Sequence, residues 1–303
     1  MVFKRLLGSL GVGGPTVDTV LDPGPVRPGS ALTGEVRLEG GNAGFDIGHI
    51  TLELVARVEV EHEEGESEGG IVFERFTVGG GFRLAEGERR SVPFSVVLPW
   101  ETPVTELHGQ PLGVVLGVRT ELSVAGARDK GDLDPLAVGP LPVQEAILEA
   151  FGQLGFGFRS ADLEYGRIGG TGQQLPFYQE IELTPPPQYA NRMREIEVTF
   201  LANPGGMEVV LEADERGGDD ALTTITVGHQ DSRDWSAEID EWMRRPAEQR
   251  APHAHHHGSG PGAGAALAAG AAGLAAGVAV GMVAAEVVDE IGDFFEGGEE
   301  DEG

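Results

Sequence analysis

Long runs of strict apolar/polar alternation most narrow what this chain can become. In "ITLELVARVEV", Ile50, Leu52, Leu54, Ala56, Val58 and Val60 point one way and their neighbours the other. The same period of two runs through Leu32, Val36 and Leu38, through Val92, Phe94, Val96, Leu98 and Trp100, and through Val114, Leu116, Val118, Leu122 and Val124. A period of two is the signature of strands with one face in a core and one in water. Stretches rich in turn-forming residues separate them: "RPGS", "EGGNAG", "HEEGESEGG" and "VGGGF". With no helical pattern in between, the spacing predicts an antiparallel β-sandwich.

The alternation pauses at "ARDKGDLDPLAVGPLPV", which reads as a hinge with a domain boundary between Asp132 and Leu141. A helix comes next, with Val143, Ala146, Ile147, Ala150, Phe151 and Leu154 on one stripe. Strands resume in "FYQEIEL", and in "IEVTF" and "MEVVLEA", which flank the turn chemistry of "LANPGG". "TTITV" supplies a last strand. The expected organisation is an all-β pair of tandem sandwiches over residues 1–136 and 137–231, with a short N-terminal helix built on Phe3, Leu6, Leu7 and Leu10. A docking helix is expected over 232–245, capped by Asp231 or Ser232 and burying Trp235, Ile239, Trp242 and Met243. A His-rich linker (246–262) and an Ala/Gly-rich, then acidic, tail (263–303) complete the chain.

Charge and composition remove several functions. The net charge is −29, and such a surface repels phosphate backbones and anionic lipid headgroups alike, so nucleic-acid binding is not expected. There is no cysteine, which excludes disulfides, thiolate zinc sites and thiol nucleophiles and fits a cytoplasmic protein. The first residues, "MVFKRLLGSLGVGG", carry too short an apolar run for a signal peptide.

No catalytic constellation is legible. There is neither a nucleophile elbow nor a phosphate-binding loop of the Gly-Lys-Ser/Thr type. "GRIGGTGQQ" lies between strands and reads as a loop. His49, His62, His108 and His229 are scattered and read as surface or structural residues. The acids of "EVEHEEGESEGG" read as a solvated hairpin loop. One cluster does carry metal-ligand chemistry: His253, His255, His256 and His257 offer imidazoles for Zn, Ni or Cu. With no evident groups to orient the rings, the favoured reading is a spacer that tolerates histidine.

The tail combines two patterns. Residues 258–285 are uncharged, longer than the ~20 residues that span a bilayer. Their composition is mostly Ala and Gly, so a lone span is marginal. Gly273, Gly277 and Gly281 recur every fourth residue, a ridge that lets helix backbones approach closely. Beyond it, Phe294 and Phe295 can anchor a partner beside Glu286, Asp289, Glu290 and Asp293. The tail is therefore expected to be helical and to self-associate, pack on another protein or insert in a membrane, the alternative being a disordered Ala/Gly linker.

Four stretches carry a family resemblance: "LGVGGPTVDTVL", "VRPGSALTGEVRLEGG", "EAILEAFGQLGFGFRSADLEYG" and "QLPFYQEIEL". Taken together over residues 1–243, the chain resembles the bacterial sporulation-control proteins of the stage-zero M family, which have an arrestin-like fold. The resemblance implies a cytoplasmic, non-enzymatic adaptor in the control of sporulation or development, acting through division or cytoskeletal partners. It brings no catalytic residues and no cofactor. Two other functional classes remain: a metal-binding protein working through the histidine tract, and a ligand-binding β-sandwich.

Overall fold

The computed structural model describes residues 13–62, 65–125, 130–215, 221–244 and 281–282. The fold is mostly β, as the alternation predicts. Strands β1 (Thr16–Leu21), β2 (Ala31–Glu39) and β5 (Arg89–Val97) form a three-stranded antiparallel sheet in the order β1-β2-β5. It faces a larger sheet built on the hairpin of β3 (Phe45–His62) and β4 (Gly65–Leu84). Strand β8 (Leu116–Val124) pairs with β3, and β9 (Lys130–Pro135) with β8. The short strands β6 (Glu106–Leu107) and β7 (Gln110–Pro111) form a separate hairpin. The core between the layers holds the side chains that alternation assigns to it, including Val36, Leu38, Ile50, Leu52, Leu54, Leu116 and Val118.

Beyond α1 (Pro142–Gln153), β10 (Gly157–Tyr165), β11 (Phe177–Thr184), β12 (Met193–Asn203), β13 (Gly206–Glu215) and β14 (Ala221–Val227) form an antiparallel meander. It joins the first half through one parallel pair, Glu164 of β10 beside Glu59 of β3. The two halves also share a core. Phe73 of β4 meets Phe177 of β11 edge to face at 5.6 Å, and the Gln179 side-chain amide bonds both the N–H and the C=O of Val104 (2.9 and 2.8 Å). The carboxylate of Glu101 accepts from the backbone N–H groups of Gln174 and Leu175 at 2.8 Å. Helix α2 (Trp235–Arg244) buries Trp235, Ile239, Trp242 and Met243 and packs beside α1.

Five local expectations need correction. The segment read as a hinge begins as a strand: β9 pairs with β8, and an Asp132 carboxylate oxygen accepts the Thr19 N–H at 2.7 Å. The strand reads like a linker because Gly131, Asp132, Asp134 and Pro135 surround its one buried aliphatic residue, Leu133. The acidic stretch around residue 62 is mostly ladder, since β3 runs to His62 and β4 starts at Gly65. "VGGGF" is no turn but part of β4, where the register shifts between Ile50 and Thr51 and Gly80 has φ 132°. A Cβ on Gly80 would lie 2.4 Å from the carbonyl oxygen of Gly48, so only glycine fits this bulge. The cap of α2 is Asp234, whose side chain accepts the Ala237 N–H at 3.1 Å, while Asp231 is engaged by Arg233. Lastly, Gly281 is not helical: Gly281–Met282 form a two-residue strand, β15, antiparallel to β4. The N-terminal helix expected on Phe3, Leu6, Leu7 and Leu10 lies outside the described residues.

Candidate functional site

The register of the meander, once fixed, places acidic side chains in rows. On β10–β13 the apolar set Leu163, Ile181, Val198 and Leu211 faces inward. The alternate residues therefore share the outer face. Across it Glu182 stands opposite Glu197, and Glu197 opposite Glu212. One step along, Asp162 stands opposite Glu180, and one further, Glu164 opposite Tyr178. Like charges directly opposite each other on one face are destabilising. Arg159 eases one end of the first row, reaching Glu182 at 3.3 Å and pairing with Glu195, and the Ser160 hydroxyl donates to Glu182 at 2.6 Å.

At the centre of this face, burial pushes the Glu180 carboxyl up to about 9, with the charges of Glu197, Asp162, Glu164 and Glu212 adding to the effect. Burial, then the charges of Glu180, Glu164, Glu212 and Glu197, also push the Tyr178 phenol upward. Both shifts have the same cause: the site penalises negative charge. Beside the acids lies apolar ground, with Leu201, Val210 and Leu222 packed against Tyr178 and Ile168. The loop read from "GRIGGTGQQ" borders it, the Gly172 N–H donating to Glu208 at 3.1 Å. The chemical capacity of an acidic, partly dehydrated face of this kind is to attract cations. Asp162, Glu164 and Glu180 lie close enough together to share one.

A second titratable cluster joins the halves. The β6–β7 turn is the pair His108–Gly109, with φ 52° and 74°, the two positive values a type I′ hairpin turn requires. Histidine adopts that conformation more readily than most residues but still at a cost. The turn aims the imidazole at α1, where Glu145 and Glu149 are one helical turn apart: Nδ1 lies 3.3 Å from Glu145 and Nε2 3.4 Å from Glu149. One imidazole and two carboxylates are a donor set that zinc accepts. This surface histidine is thus engaged, which spacing in the sequence does not reveal. Of the others, His229 stacks on Trp100 at 4.7 Å and tethers the halves, and His49 is exposed at the bulge. A groove of about 550 Å³ beside the C-cap of α1, walled by Leu154, Tyr189 and Arg192 and by Asp240 of α2, is where a small ligand would fit the ligand-binding reading.

The site residues expected from sequence fare differently. His253, His255, His256 and His257, Gly273 and Gly277, and Phe294 and Phe295 lie outside the described residues. Gly281 lies in β15 against Val72 of β4. Among the described residues, no helix is long and apolar enough to cross a membrane.

Comparison with known proteins gives a consistent result. The family described as SpoOM protein matches residues 3–217. The sporulation-control protein Spo0M of Bacillus subtilis (strain 168) is 35% identical over 216 residues, covering 71% of this chain and 81% of that protein. The crystal structure of Spo0M from Bacillus subtilis superposes with a TM-score of 0.68 at 28% identity, over 77% of this chain and 98% of that one.

Proposed function

The chain belongs to the SpoOM family of sporulation-control proteins, and from that premise we propose that it is a cytoplasmic, non-enzymatic adaptor that docks a basic segment of a protein partner on the outer face of β10–β13. The observation that carries this reading is the row Glu182, Glu197 and Glu212 with Asp162 and Glu180 beside it. Carboxylates held against their mutual repulsion gain most when a cationic group arrives. Partners of the division or cytoskeletal machinery fit a role in the control of sporulation or development. Complementary charge also steers the encounter, so binding should weaken steeply with salt.

The test is cross-linking in the parent cells with wild type and with the Glu197→Gln/Glu212→Gln double variant. Loss of cross-links to Lys/Arg-rich partner peptides, by about tenfold, together with the developmental phenotype of a deletion is expected. Unchanged cross-links and unchanged developmental timing would refute the adaptor reading at this face.

The His108 cluster supports a second reading, in which a divalent cation bridges the halves. Titrating zinc into the full chain and into His108→Ala separates this site from the histidine tract: the reading requires the variant to lose one equivalent. Equal stoichiometry would overturn this reading and place any bound metal away from His108.

A further inference from the structure

The outer face of the first half's large sheet contains side chains whose burial the sandwich core does not explain. Alternation along β3 sends Leu52, Leu54 and Ala56 into the core, so Glu53 and Val55 point away from it. Their cross-strand neighbours on that outward face are Arg75 and Val72 of β4 and Arg119 and Gly117 of β8. Leu133 of β9 lies over Gly117, where an added Cβ would meet Leu133 Cδ1 at 2.9 Å and Val55 Cγ2 at 3.1 Å. This outward patch is nonetheless withdrawn from water: Val55 is 0%, Val72 1%, Glu53 2% and Leu133 6% exposed.

A second observation points to the segment that covers it. Strand β4 borders this face, and its Ile71 and Val72 pair with Met282 and Gly281 of β15. The chain that brings β15 there is the uncharged run of residues 258–285, whose chemistry suits an apolar face with an internally neutralised carboxylate. The 36 residues 245–280 between α2 and β15 span up to ~120 Å when extended, ample to reach β4 from Arg244.

We propose that the C-terminal tail docks in cis on this outer face, adding a strand to the β4 edge at Gly281–Met282 and covering Val55, Val72 and Leu133. An unpaired edge strand is a template for another chain, and strand addition is a common mode of peptide recognition. Here the chain supplies the strand itself, so the β4 edge is occupied by the tail rather than offered to a partner. Gly281 then has a different use from a helix-packing ridge. Opposite Val72 it lets the backbones pair without a second side chain on the crowded face.

The chain contains no cysteine, which permits a clean test in the whole chain. Directly opposed residues of an antiparallel pair have Cα atoms ~4.5–5.5 Å apart, within disulfide range. Val72→Cys/Gly281→Cys should therefore oxidise to an intramolecular disulfide at least tenfold faster than Val72→Cys/Ala265→Cys, whose second cysteine sits elsewhere in the tail. Equal rates, or disulfides only between two copies, would overturn docking in cis. Because a cysteine at Val72 could perturb the sheet, hydrogen exchange of Gly281→Pro gives an independent reading. Those amides of residues 70–73 that face β15 rather than β3 should lose at least tenfold protection relative to wild type, with β11–β13 unaffected. Unchanged exchange there also overturns the proposal.

Discussion

Glu53→Ala is expected to lower the unfolding free energy by about 3–5 kcal/mol, the range seen when one partner of a buried ion pair is removed. Glu53 is itself almost wholly buried and holds two cations, Arg75 Nε at 2.5 Å and Arg119 Nε at 2.7 Å. The three side chains come from adjacent strands at directly opposed positions, so pairing places them without help from any loop. Removing the carboxylate leaves Arg119, whose side chain is only 11% exposed, without its main counter-charge. Arg75 is 44% exposed and can turn to water, so most of the loss falls on Arg119. The Glu53→Met/Arg119→Met pair should recover much of the loss, because an apolar replacement of similar volume removes the stranded charge as well. Midpoints of guanidinium unfolding check both statements; a loss below ~1 kcal/mol in Glu53→Ala would show that solvent reaches Arg119 freely.

That triad illustrates what could and could not be read from the sequence. Alternation identified β3 and its inward set, because a period of two is local and needs no partner. Helix α1 was legible from the same kind of information, and its buried Val143, Ile147, Ala150 and Phe151 are those of the expected stripe. Register is a different matter. That Glu53 opposes both Arg75 and Arg119, or that Glu182, Glu197 and Glu212 form a row, depends on pairing set by bulges and turns spread over the whole chain. The bulge at Gly80 and a true turn have the same glycine signature, since both require positive φ. The turn at His108 hid because histidine stands where Asn usually would, and its carboxylate partners sit on a later helix. The tail misled in the opposite direction. Its glycine period fits a helix, yet Gly281 pairs with β4, and nothing in an Ala/Gly run marks which two residues find a sheet edge. The family resemblance supplied the fold of the body of the chain, where the matched residues end at 217, and it carries no information on the tail.

The acidic face yields the second large effect, in the dependence of stability on pH. Glu180 titrates at about 9 in the folded protein against 4.5 for a free side chain. Below pH 4.5 the carboxyl is protonated in both states, and its contribution to stability is fully present. Between pH 4.5 and 9 the unfolded chain ionises while the folded one keeps its proton, so stability falls as pH rises, by up to ~1.4 kcal/mol per pH unit. Above 9 both forms are ionised and the slope ends. Glu180→Gln keeps the shape without the titration. It is expected to unfold several kcal/mol less readily than wild type at pH 8, with little difference at pH 4. Urea unfolding across that range measures it, and parallel profiles for the two proteins would refute the shift. The same group offers a signature of the docking proposed for this face. A Lys or Arg brought against Glu180 favours its charged form, so binding at neutral pH should release a proton to the buffer. Calorimetry of the partner's basic peptide in buffers of different ionisation enthalpy should show that release in wild type and lose the Glu180 share of it in Glu180→Gln. Binding with the same proton release in both proteins would place the peptide elsewhere on the sheet.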